Sequence, residues 1–275
     1  MMNKLTQISI LFILFISSCY TSKPIKKENS SGIVFKSSSQ IKVDIFKRIY
    51  ILEGNELTKL SPYCDTLFNY TFPSVDEIND IDLLNPNEIV AFSESAQIIY
   101  ILDNTLGLIS SINLNETDLG LIIGVARTRD DLINVLSKDH KKLCKINDLG
   151  KISSMSDVLW NIDLSEVFDL TQIDNFIAIR SKESNSVWLY DEFGTLHTRL
   201  LDVRTNFKLQ AYKGLLCYLN DRNQLVFKNL ERLVDEDQYV SIDVRQSDIS
   251  SFFLYEDYIY LLMKTGEIRK EIIQS

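Results

Sequence analysis

Few side chains in this sequence are placed to do chemistry, and the one in the most telling context is a thiol. Cys19 closes a segment that opens with Lys4, runs through Ile8 to Ile16 with Ser9 as its only polar interruption, and ends on Ser17-Ser18. A positive start, a short apolar stretch and small residues before a break form the layout of an export signal. The apolar run is about half of the roughly 20 residues that a helix needs to cross a bilayer, so a permanent span is not predicted. The other cysteines, Cys64, Cys144 and Cys217, are an odd set with no short spacing, which argues against a disulfide framework. Cys144 and Cys217 sit inside apolar strand patterns and read as small buried hydrophobes.

Hydrolytic or metal chemistry finds no constellation. The chain has two histidines, His140 and His197, each beside charged or hydroxyl residues in turns or strand ends, and both read as solvent-exposed. HExxH, GxSxG and phosphate-loop patterns are absent from the sequence. Acids do recur on or near the innermost strand of the chain's repeating units, at Asp44, Asp80, Asp82, Asp169, Asp174 and Asp248; converging carboxylates there could bind a metal, but these read as turn residues or caps for backbone donors. No catalytic, metal-binding or cofactor-binding residue is therefore assigned, no cofactor is expected, and the chain is not expected to be an enzyme. A net charge of -9 argues against nucleic acid, which calls for a basic footprint.

The segment Ile16-Ser17-Ser18-Cys19 resembles the lipobox of bacterial lipoproteins: a branched apolar residue, two small residues, then cysteine. That resemblance implies cleavage between Ser18 and Cys19 and a diacylglycerol thioether on the Cys19 sulfur, usually with acylation of the new amine. Each buried methylene contributes about 0.8 kcal/mol, so two or three chains anchor stably where one does not. Residues 1–18 are then signal, and 19–31 a lipidated cysteine and polar tether too poor in apolar residues to pack. Tyr20 rather than Asp follows the cysteine, so the resemblance implies an outer-membrane rather than an inner-membrane anchor in a Gram-negative envelope, on the periplasmic or the cell-surface side.

The elements that must position everything else repeat. Apolar, β-branched and aromatic runs begin near Arg48, Glu88, Asp131, Asn175, Gly214 and Tyr258, at spacings of 39 to 44 residues. Each is followed by a tight turn and an alternating strand: Glu56–Leu60, Ile98–Leu102, Lys142–Ile146, Val187–Tyr190, Gln224–Phe227 and Ile268–Ile272. Several of these end in Asp or Asn followed shortly by Gly, as in Asp103–Gly107, Asn147–Gly150 and Asp191–Gly194, where glycine is expected to take a positive φ. Six four-stranded antiparallel units at this spacing resemble the blades of a six-bladed, NHL-type β-propeller over residues 32–275, with neither a WD dipeptide nor a kelch double glycine. The first unit begins with a strand near Ile41 to Phe46. The sixth has only three strands before the end of the sequence, so an N-terminal strand at about 32–37 is expected to supply its fourth and close the ring. The aromatic cluster Phe252 to Tyr260 reads as packing between blades, Trp188 as buried in a strand.

A tethered propeller offers two loop faces on a rigid ring, which favours an interaction scaffold that binds envelope or outer-membrane proteins. The alternative is a propeller hydrolase or a small-ligand or sugar-binding lipoprotein that uses the channel face.

Overall fold

The computed structural model describes residues 35–181, 184–232 and 237–273. Ser18, Cys19, the signal, the tether and the start of the expected closing strand lie outside the described residues. Apart from three single-turn 3-10 segments the described chain is all strand and turn, and no helix among these residues is long and apolar enough to cross a membrane.

Blade one comprises β1 (Gln40–Val43), β2 (Ile49–Glu53), β3 (Glu56–Leu60) and β4 (Thr66–Thr71). Blade two follows with β5 (Asp80–Asp82), β6 (Glu88–Ser93), β7 (Ile98–Asp103) and β8 (Leu108–Asn113). The third holds β9 (Ile122–Arg127), β10 (Ile133–Ser137), β11 (Lys142–Ile146) and β12 (Ile152–Met155). In the fourth are β13 (Val167–Ile173), β14 (Phe176–Ser181), β15 (Ser186–Asp191) and β16 (Leu196–Leu200). Blade five has β17 (Gln210–Tyr212), β18 (Leu215–Leu219), β19 (Gln224–Asn229) and β20 (Gln238–Ser241). The last has β21 (Ile249–Tyr255), β22 (Tyr258–Met263) and β23 (Ile268–Ile272). Each sheet is an up-and-down antiparallel meander, five of four strands and the sixth of three among the described residues. The molecule is a six-bladed β-propeller.

Alternation along the strands explains the ring. Successive side chains point to opposite faces of a sheet, so Tyr50 and Leu52 pack toward blade two while Ile49 and Ile51 pack toward blade six. The same division holds around the molecule, giving six apolar clusters, one in each seam between neighbouring blades. Second strands are buried on both faces and hence read as unbroken apolar runs, whereas the outer strand β4 (TLFNYT) is mostly exposed. Phe252 and Leu254 enter the seam between blades five and six, and Phe253 and Tyr255 the seam between six and one, so the aromatic cluster does pack between blades. Trp188 is buried in β15, and Cys144 and Cys217 are buried free thiols in β11 and β18.

Three local expectations need adjustment. The first strand stops at Val43, because the Asp44 carboxylate accepts hydrogen bonds from the backbone N–H of Phe46 (2.9 Å) and Arg48 (3.0 Å) and turns the chain there. In the turn after β7 the left-handed residue is Leu106 (φ 64°) rather than Gly107, while Gly150 and Gly194 take positive φ as expected. Phe35 and Lys36, from the expected closing strand, are connection rather than strand. Phe35 is buried with Ile41, Tyr260, Leu262 and Ile268 in the seam between blades six and one, and Lys36 pairs with Glu53 at 2.7 Å.

Candidate functional site

An inner strand has a ladder partner on one side only, and its free N–H and C=O groups must find others. Here side chains stitch each inner strand to the next blade. Gln40 Nε2 donates to Asn79 O (3.2 Å), the Arg127 backbone N–H to Asp82 Oδ2 (2.9 Å), and Asn134 Nδ2 to Gln172 Oε1 (2.8 Å). The Leu209 N–H donates to Asp169, Gln210 bonds both Phe252 O (2.7 Å) and Leu254 N (2.9 Å), and the Ile41 N–H donates to Ser251 Oγ (2.7 Å). That last bond, with Ser250 Oγ donating to Ser39 O at 2.9 Å, joins blade six to blade one and closes the ring at its inner edge.

Inside this collar is a cavity of about 500 Å³, lined by the inner strands of all six blades. Its charged residues are Lys42, Asp44, Asp80, Asp82, Arg127, Arg129, Asp169, Asp174 and Lys208. Five of the six acids singled out in the sequence thus converge here; Asp248 does not, lying exposed in a 3-10 turn ahead of β21. His140 and His197 are exposed and outside the cavity. Among the described residues no group of three His, Cys, Asp or Glu side chains is arranged to hold a metal ion.

The residues missed in the sequence are two lysines. Lys42 Nζ lies 2.7 Å from Asp80 Oδ1 and also donates to Ile81 O, while Lys208 Nζ lies 3.0 Å from Asp80 Oδ2 and donates to Asn79 O at 2.8 Å. Blades two and five face each other across a six-membered ring, so Lys208 and Asp80 bridge the channel. Side-chain exposures of 22%, 22% and 29% for Lys42, Asp80 and Lys208 leave the trio in contact with the cavity while sheltering it from bulk solvent. Burial works against the Asp80 charge, but Lys208 and Lys42 outweigh it and hold the carboxyl down at about 2. Burial instead pushes Asp82 and Asp169 up, against Lys42 near the first and Lys208 near the second. Both Asp82 oxygens accept backbone N–H groups, from Leu84 (2.8 Å) and Arg127.

One end of the ring carries the turns that follow the first and third strands of each blade, because an antiparallel meander returns them to the same side. Ion pairs tie these turns together: Arg129 to Asp174, Lys213 to Asp257 (2.8 Å) and Lys47 to Glu256 (2.9 Å). Buried Arg127 reaches Glu88 (2.5 Å) and Asp148 (3.0 Å). The same turns expose large apolar side chains: Ile45 (56%), Phe46 (55%), Tyr63 (80%), Leu84 (47%), Leu149 (87%) and Phe193 (71%). Ile45 and Leu84 stand at the cavity mouth.

No protein-family model and no curated protein matches the chain. Solved structures do. A streptogramin B lyase is 13% identical with a TM-score of 0.60, over 91% of this chain and 87% of that one. A protein of unknown function from Bacteroides caccae is 12% identical with a TM-score of 0.58, over 82% and 90%. The Pan2 WD40 domain of Neurospora crassa is 11% identical with a TM-score of 0.56, over 84% and 73%. At these identities the likeness extends to the propeller fold alone.

Proposed function

We propose that this chain is a lipid-anchored envelope lipoprotein whose propeller serves as a protein-binding scaffold. The lipobox-like Ile16-Ser17-Ser18-Cys19 motivates the anchor, with Cys19 in the outer membrane and the propeller as its periplasmic or surface body. The observation that supports the scaffold is the set of exposed apolar side chains on one end of the ring. Water-exposed apolar groups scattered singly are ordinary; this end carries six of them against Leu121, Trp160 and Leu201 on the connections of the other end, which favours it as the partner surface. Beside Ile45 and Phe46, the Lys47–Glu256 pair links the turns of blades one and six.

The residues of the channel support a non-catalytic reading of that region. Asp44 accepts four hydrogen bonds, two from backbone N–H groups and two from Arg48 Nε (2.6 Å) and Tyr50 OH (3.0 Å), and Asp80 is shared between two lysines. Carboxylates committed in this way are poor general bases. Co-purification of a membrane protein with the lipidated chain, and its loss on Phe46→Ser, tests the scaffold.

A further inference from the structure

We infer that the central cavity is a binding site for a small organic anion, a carboxylate in the first instance, whose charged end is received by Lys42 and Lys208. This goes beyond the scaffold and stands or falls separately from it.

Hydrogen-bond capacity at the bridge points to the sign of the ligand. An ammonium has three donors. Lys42 directs one to Asp80 Oδ1 and one to Ile81 O, and Lys208 one to Asp80 Oδ2 and one to Asn79 O, leaving each with a third. Asp80 is nearer saturation: Oδ1 also accepts the Ile81 backbone N–H at 2.8 Å, so three of its roughly four acceptor sites are taken, leaving one acceptor against the two lysine donors. Taken alone, the trio of Lys42, Lys208 and Asp80 carries one net positive charge.

Other titratable groups face the bridge. Asp82 lies beside Lys42, with both oxygens occupied by backbone N–H groups; Asp169 lies beside Lys208, its Oδ2 taken by the Leu209 N–H. Burial raises both from the ordinary carboxylate value, and the backbone N–H groups on them already occupy oxygens that would otherwise take the third donors of the lysines. The remaining charged groups of the lining are paired: Asp44 with Arg48, Arg129 with Asp174, and Arg127 with Glu88 and Asp148.

Size and walls suit a ligand with an apolar body. A volume of about 500 Å³ falls within the range of small-molecule pockets, roughly 300 to 1,000 Å³. Ile45, Leu84, Phe168, Phe207 and Phe253 contribute apolar lining around the charged bridge.

Calorimetric titration of the folded propeller with benzoate and octanoate, each against its uncharged amide, tests the assignment. The expected result is saturable binding of at least one carboxylate with a dissociation constant below about 1 mM, and binding of its amide weaker by roughly tenfold or more, the size of one charge-assisted contact. Lys208→Gln should weaken the carboxylate by a similar factor, with Lys264→Gln, exposed in the turn after β22 at the other end of the ring, as the unaffected control. Because Lys208→Gln removes a structural bridge, Asp80→Asn is the second variant: it keeps both cations and frees them, so carboxylate binding should persist or tighten. The assignment is overturned if neither carboxylate binds in that range, if acid and amide bind alike, or if Asp80→Asn stays folded and loses carboxylate binding.

Discussion

Lys208 of the fifth blade meets Asp80 of the second directly across the ring, Nζ to Oδ2 at 3.0 Å, while Lys42 of the first blade holds the other oxygen of the same carboxylate at 2.7 Å. One carboxylate therefore links three blades that no β-ladder connects.

The bridge gives stability a specific acid limb. Asp80 falls from its ordinary 3.8 to about 2 in the folded protein, so its contribution is complete above about pH 4 and is lost as pH drops from about 4 to about 2. A shift of this size corresponds to about 2 kcal/mol. Asp82 and Asp169 are raised rather than lowered, so their contribution has the opposite sign and acts above that window, where stability from them falls as pH rises. Denaturant melts of wild type and Asp80→Asn should diverge above pH 4 and converge toward pH 2. A difference constant with pH would contradict the bridge.

Lys59 makes the opposite case. It is buried, donates to Asn104 O, and lies over the Tyr50 ring at 5.3 Å with no carboxylate of the described residues in ion-pair range. Burial, with the Arg48 charge behind it, lowers its pKa to about 8. Between about pH 8 and 10 the unfolded chain holds a proton there that the folded chain has released, so stability contributed by this site rises with pH. Measured against Lys59→Met, wild type should gain roughly 2 to 3 kcal/mol across that interval; a flat difference would show that the lysine stays charged in place.

At Gly194 the backbone has φ 83°, and an added Cβ would stand 2.3 Å from the Ser156 Cβ. Ser156 Oγ accepts from the Leu143 N–H at 3.0 Å and donates to Asp157 O at 2.7 Å, so pushing it aside also breaks a join in blade three. Gly194→Ala should cost at least about 1 kcal/mol in a thermal or denaturant melt. An unchanged midpoint would mean that this turn has room to relax.

The parts of the fold that were legible in the sequence are those buried on both faces. The second and third strands, such as Glu88–Ser93 and Lys142–Ile146, must be apolar because a blade presses on each side, and turns such as Asn147–Gly150 mark their ends. The short inner strands β5 (DID) and β17 (QAY) carry no such run, since they are three residues long and their side chains serve the seam and channel. The acids Asp80, Asp82 and Asp169 were visible as residues but not as a site. Their partner Lys208 donates to a carbonyl 129 residues away, and only the closed ring brings the two together. Knowing that inner-strand charges face a channel, a reader could have asked which lysines precede or follow those acids in register, and Lys42 in β1 would have emerged.

The anchor can be tested apart from the propeller. Cys19→Ser removes the thiol that the lipobox reading requires, so the precursor should stay unlipidated and move to the soluble envelope fraction. Membrane fractionation and intact mass check this, and unchanged values for both would rule out lipidation at Cys19.

The most direct test of the scaffold is quantitative pull-down of the lipidated protein from solubilised membranes, comparing wild type, Lys208→Gln and the double variant Phe46→Ser, Leu84→Ser. Phe46 and Leu84 are exposed turn residues whose replacement leaves the seams intact. A membrane protein should be recovered in stoichiometric amount with wild type and with Lys208→Gln, and at a small fraction of that amount with the double variant. Recovery of no stoichiometric partner, or equal recovery with the double variant, would contradict the assignment of that face as the binding surface.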